Sequence, residues 1–136
     1  AEFSVTINTS VLYEGKAVWY YNGYYIAPED ASSGTPWNTS LTATYCSNKS
    51  GASWRVPSAN EACAIYNVAL GPSATVDNTA INFLKNIFTG SEYWTTTRSP
   101  GSTGNNGAPY IMHTSDGKIY NSDSDTYRLK IRCVTR

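Results

Sequence analysis

Three cysteines, one histidine and a scatter of aspartates are the residues of this chain best suited to chemistry. Cys63 falls in a segment whose apolar residues recur at helical spacing. A thiol on such a stripe packs as a small apolar residue. Nucleophilic catalysis would need a histidine and an orienting amide or carboxylate beside it, and no such arrangement is evident. With a single imidazole, His113, and no Cys-x-x-Cys pair, a tetrahedral zinc site lacks its ligands. Asp116, Asp123 and Asp125 offer the oxygen ligands that calcium takes. All of them stand in turn-forming sequence, which accounts for them more simply. General acid–base work needs converging titratable groups, and the acids here are spread along the chain. The expectation is a protein that is not an enzyme, with no metal and no cofactor. Among the cysteines, one disulfide plus one buried thiol is the simplest allocation for an exported protein, and spacing leaves the pairing open.

Recognition chemistry is better represented. Eleven Tyr and four Trp accompany abundant Ser, Thr, Asn and Gly. A tyrosine ring gives a large contact area at low entropic cost, so this mixture suits binding surfaces. It suits β-strands equally well. Residues 98–110 and 121–127 are the longest irregular stretches of the C-terminal half, and long loops in a compact domain tend to carry function. They place hydrogen-bonding groups beside flat apolar rings. Arg98, Asn105, Asn106, Tyr110, Asp123 and Asp125 are the candidate ligand-binding residues. Charges balance at ten against ten, which argues against nucleic acid as a partner. No apolar run approaches the roughly 18 residues of a membrane span. The opening residues lack the pattern of a secretion leader, so numbering is expected to start in a mature chain.

The elements that must position these groups are organised around residues 53–61, Ser-Trp-Arg-Val-Pro-Ser-Ala-Asn-Glu. Pro57 favours an extended Val56. Ser58 followed three residues later by Glu61 is a capping box, so a helix should start there and run to about Leu70, before Gly71-Pro72. Residues 4–7 alternate weakly and suggest a strand. Residues 16–27 hold two aromatic runs around Asn22-Gly23, the preferred pair for a tight hairpin turn. Residues 28–34 read as loop. Thr35-Pro36 resembles the start of a helix over residues 36–48, with Trp37, Leu41 and Tyr45 as its apolar stripe. Asp77 should cap a further helix that buries Ala80, Ile81, Leu84, Ile87 and Phe88. Strands are expected over residues 92–97 and 110–114, and over 118–121 after an Asp116-Gly117 turn. A last strand over residues 127–134 should place Tyr127, Leu129, Ile131 and Cys133 inward, with Arg128, Lys130, Arg132 and Val134 on a solvated face. With no repeat or linker, the chain is expected to be one α+β domain over residues 1–136.

In order, Tyr45-Cys46, Trp54-Arg55-Val56-Pro57 with Glu61, Tyr93-Trp94-Thr95-Thr96, Asp116-Gly117 and Ile131-Arg132-Cys133-Val134 resemble the C-type lectin-like domains of bacterial surface proteins, the Lcl C-terminal type. That family carries W-R-[LV]-P-x-x-x-E, Y-W-[ST]-[ST] and a terminal V-R-C-V. The likeness is closest to the C-terminal domain of fimbrillin-type pilus-tip proteins. The resemblance implies helices flanking a twisted, mostly antiparallel sheet, with ligands met by a long loop region. It also implies a disulfide between Cys46 and Cys133, with Cys63 left over. The calcium-lectin signatures Glu-Pro-Asn, Gln-Pro-Asp and Trp-Asn-Asp are missing, so the resemblance carries the fold without carrying sugar binding.

The resulting expectation is an extracellular, calcium-independent binding module, a cell-surface or pilus-tip adhesin whose partner is a protein or a glycan. An assembly domain that packs on a neighbouring pilin through its Tyr-rich hairpin is the main rival. An exposed aromatic patch on residues 18–25 would favour that rival. A receptor-binding protein diversified by a retroelement is a further alternative. Formylglycine-generating enzymes share the broad fold but need a pair of active-site cysteines, which a Cys46–Cys133 bond would consume. Trp54 and Trp94 are expected in the core.

Overall fold

The computed structural model describes residues 4–6, 11–37, 45–100, 107–121 and 124–136. Its elements are β1 (Ser4–Thr6), β2 (Val18–Tyr21), β3 (Tyr24–Ile26), β4 (Ser32–Thr35), α1 (Ala59–Tyr66), α2 (Asn78–Leu84), β5 (Glu92–Arg98), β6 (Pro109–His113), β7 (Lys118–Asn121), β8 (Leu129–Ile131) and β9 (Val134–Thr135). This is an α+β arrangement. The strands form a four-stranded sheet, β1-β2-β3-β9, and a five-stranded sheet, β4-β8-β5-β6-β7. Pairing is antiparallel except between β5 and β8.

Local sequence explains the best-formed elements. Asn22 and Gly23 take φ of 51° and 82°, the left-handed pair of a tight hairpin turn between β2 and β3. The Ser58 hydroxyl accepts from the Glu61 N–H at 3.1 Å, and Glu61 accepts from the Ser58 N–H at 3.1 Å. Arg55 closes an ion pair onto the same Glu61. Burial alone would raise the Glu61 carboxyl, but the Arg55 and Ser58 hydrogen bonds hold it below the usual range, so the cap stays ionised. Asp77 caps α2 by accepting from the Thr79 and Ala80 N–H groups.

The five-stranded sheet is the middle layer. Along β5 and β6, Tyr93 and Met112 face a cluster built with Ala59, Ala62, Ile65, Leu84 and Phe88 from the helical side. Their chain neighbours Trp94 and Ile111 face a second cluster with Tyr13, Val18, Trp37, Trp54 and the disulfide sulfurs. Because both faces are covered, the strand carries consecutive apolar residues instead of alternating. Trp54 and Trp94 are core residues, 3% and 0% exposed. Each indole N–H has a backbone acceptor, Leu12 O at 3.0 Å and Thr35 O at 2.6 Å.

Several expectations are corrected. The helix begun at Ser58 ends at Tyr66, because Asn67 turns left-handed at φ 52° and its N–H caps the Ala64 and Cys63 carbonyls. Leu70 instead bridges to Ile119. Within the stretch read as loop, Ser32–Thr35 is a strand, recruited at the sheet edge by β8 through a register shift. Thr35 ends that strand and is not a helix cap, and Trp37 lies outside any helix. Leu41 and most of that expected helix lie outside the described residues. The last strand is broken at Arg132 and Cys133, where the chain passes from one sheet to the other. Arg132 is therefore 2% exposed instead of solvated, Val134 is buried, and Tyr127 points out at 46% exposure.

Gly117, in the β6–β7 turn, has φ 71°, and a Cβ there would lie 2.4 Å from Ile81 Cγ1. At Gly23, also left-handed, a Cβ would meet no atom within 4 Å. Gly23→Ala should cost about 1 kcal/mol for backbone strain alone, whereas Gly117→Ala should cost about 2–3 kcal/mol because the buried Ile81 side chain of α2 must also move. Urea midpoints of the two variants measure the difference, and equal losses would contradict the packing of α2 on this turn.

Candidate functional site

The two polar loops leave the same end of the five-stranded sheet. At the base of the first, Ser99 N–H donates to Ala108 O at 2.9 Å, Gly107 N–H donates to Ser99 O at 3.0 Å, and Ser99 Oγ donates to Ala108 O at 2.7 Å. Arg98, the last residue of β5, reaches across this base. Its Nη1 donates to Gly107 O at 2.6 Å and its Nη2 to Asp125 Oδ2 at 2.9 Å. The guanidinium carbon lies 4.6 Å from the centre of the Trp37 ring. Trp37 is itself pinned, its backbone N–H on Asp125 O at 2.9 Å and its indole N–H on Thr95 O at 2.8 Å. One side chain thus ties together β5, the 107–108 segment, the 124–126 segment and Trp37, two residues beyond β4. Arg suits this junction because a planar fork can donate in two directions while stacking on a ring. The pair is half-exposed, so its ionic part contributes at most about 1 kcal/mol, and its role is to fix geometry.

The structure brings Arg98 and Asp125 together and separates Tyr110 from them. Tyr110 is half-buried against the helical cluster, on the opposite sheet face from Trp37. Asn105, Asn106 and Asp123 lie outside the described residues. In the second loop, Ser124 Oγ accepts from Thr126 N–H at 3.1 Å, a local turn. Asp116 sits at the other end of β6 and β7, where its Oδ1 accepts from Lys118 N–H at 3.0 Å. It shares no site with Asp125, and among the described residues no three of His, Cys, Asp or Glu gather in a metal-holding group. Sequence reasoning assigned Trp37 to a helix stripe and missed its place under Arg98. No local signal pairs a tryptophan with an arginine so far along the chain.

A second exposed feature lies on the N-terminal hairpin. Tyr20 and Tyr25 are cross-strand partners with ring centres 4.7 Å apart, and Tyr20 is 42% exposed.

Groups with latent reactivity are occupied elsewhere. Cys63 is half-buried, and burial pushes its thiol up, away from the thiolate a nucleophile needs. His113 stacks on Tyr120 at 3.8 Å, with Nδ1 3.2 Å from Glu92. Burial lowers its pKa, outweighing the Glu92 and Asp116 carboxylates that would raise it. Because the folded imidazole binds its proton less readily than the unfolded one, stability should fall as pH drops below about 6.5 and through the lower folded value. His113→Gln should flatten that slope. Urea midpoints between about pH 5 and pH 7.5 measure it, and an unchanged slope would remove His113 as its source.

The Cys46–Cys133 bond, with Cα atoms 5.6 Å apart, fits a protein that folds in an oxidising, extracytoplasmic compartment. Among the described residues no helix is long and apolar enough to cross a membrane. No protein-family model matches the chain, and no curated protein matches it.

Proposed function

We propose that this chain is an extracellular binding module of the C-type lectin-like class, an adhesin domain that meets a protein or glycan ligand through its two polar loops without calcium. The observation that carries the reading is the Arg98 junction. It ties Gly107, Asp125 and Trp37 to the end of β5, in a sheet buried on both faces. A rigid scaffold that presents adjacent polar loops is the usual architecture of a recognition surface. The fold assignment draws on the Trp54-to-Glu61 capping stretch, on Arg55 bridging to Val134, and on the disulfide linking Cys46 to the terminal strands.

The test is a glycan array together with a pull-down against extracellular-matrix proteins, each with and without chelator. Asn105→Ala/Asn106→Ala and Asp123→Ala/Asp125→Ala should each reduce capture at unchanged circular dichroism. Undiminished capture in both would remove the loops, and capture abolished by chelator would replace the calcium-independent reading. The Tyr20–Tyr25 pair favours a second reading, an assembly domain that packs on a neighbouring subunit. Loss of capture in Tyr20→Ser/Tyr25→Ser alone would select it.

A further inference from the structure

A pocket of about 310 Å³ lies on the flank of the five-stranded sheet, lined by Ala31, Tyr45, Asn48 and Lys49. It is separate from the Arg98 junction. Ala31 is held at the entry to β4 by its N–H on Ile131 O at 2.7 Å. The 45–48 turn on the other side is anchored by the disulfide at Cys46, whose carbonyl accepts from Lys49 N–H at 3.0 Å. The Tyr45 hydroxyl rests on Thr35 Oγ1 at 3.4 Å, which fixes the ring as one wall. The backbone frame is therefore held from both sides.

Among the described residues the lining combines a ring face, a carboxamide and an ammonium, with no carboxylate. Among the described residues Lys49 forms no salt bridge. Its Nζ stands 6.0 Å from the Tyr13 ring. Glu14 accepts from Ser50 Oγ at 2.7 Å and feels the Lys49 charge without closing an ion pair with it, and Glu29 pairs with Lys16. The volume lies at the lower end of the range for small-molecule pockets, about 300–1,000 Å³, which is room for a single ring. We infer that this pocket takes a small ring compound bearing a carboxylate, its ring against Tyr45, its carboxylate on Lys49 and a hydrogen bond to the Asn48 side chain.

Such a carboxylate belongs either to an aromatic acid or to an oxidised sugar, so the probes are 4-hydroxybenzoate and glucuronate. Their neutral counterparts, benzyl alcohol and glucose, are the controls. Titrations followed by amide NMR should show saturable shifts centred on Asn48 and Lys49 for one of the acids. Lys49→Met should weaken that acid about fivefold, the size of one exposed charge pair. Whichever acid binds identifies the ring. Asp125→Ala should leave the binding unchanged, so failure here is distinct from failure of the loop surface. The inference is overturned if neither acid gives saturable shifts, if the neutral counterpart binds equally well, or if Lys49→Met binds undiminished with its spectrum otherwise intact.

Discussion

Asp30→Ala should destabilise the protein by about 3–5 kcal/mol, far more than the loss of an ordinary surface acid. The reason is Arg132, whose guanidinium is buried at 2% exposure where the chain crosses between sheets. Its Nε and Nη2 donate to Asp30 Oδ1 at 3.1 and 2.9 Å, and its Nη1 donates to Ala27 O at 3.0 Å. The same Oδ1 accepts from the Tyr93 hydroxyl at 2.8 Å, and that hydroxyl accepts from Gly90 N–H at 2.9 Å. Lys130 adds a weaker contact to Oδ2 at 3.7 Å. Phe88 and Tyr93 cover the guanidinium with ring centres 5.5 and 5.7 Å from its carbon. Removing the carboxylate leaves a dry cation facing a tyrosine and a carbonyl, with no other ion-pair partner among the described residues. Asp30→Leu combined with Arg132→Met should recover much of the loss, because an apolar pair needs no desolvation of charge. Urea denaturation of the single and double variants measures both. A single variant within about 1 kcal/mol of the parent would show that the buried pair is not a stability determinant.

The same network shows what the sequence made legible. The capping box, the Asn22-Gly23 hairpin and the Asp77 cap depend on residues a few positions apart, and each forms as its local chemistry dictates. β4 was hidden because Ser-Ser-Gly-Thr carries no apolar alternation. It is a strand only because β8 offers it a hydrogen-bonding edge. Arg132 was hidden for a related reason. Strict alternation from Leu129 puts it outside with Lys130, but the strand breaks and the chain changes sheets, so Arg132, Cys133 and Val134 are all interior. Its partner stands 102 residues away. At the candidate site, turn composition marked the two polar segments and Arg98 at the edge of the first. It could not foresee that both arms of the guanidinium fork would be spent within the protein, on Gly107 and Asp125.

Breaking the Cys46–Cys133 bond should lower stability by about 4–5 kcal/mol on the chain-entropy account, because the crosslink closes a long loop in the unfolded chain. The two cysteines are 87 positions apart and both are fully buried in the cluster between the sheets. The bond joins the turn beside the candidate pocket to the crossing point of the last two strands. Ala27 N–H on Cys133 O at 2.9 Å passes that anchor to the N-terminal hairpin. Cys46→Ala/Cys133→Ala should therefore lower the urea midpoint strongly, while Cys63→Ala should change it by less than about 1 kcal/mol. Because neither sulfur is accessible in the folded state, reduction of the native protein should follow the rate of opening and stay slow in mild reductant. Cys63 packs against the helical cluster, across the five-stranded sheet from the bond, so it cannot exchange without unfolding. Peptide mapping without reductant should recover residues 46 and 133 linked and residue 63 as a thiol. A Cys63–Cys133 link, or equal stability of the oxidised and doubly substituted chains, would contradict the placement of these strands around the disulfide.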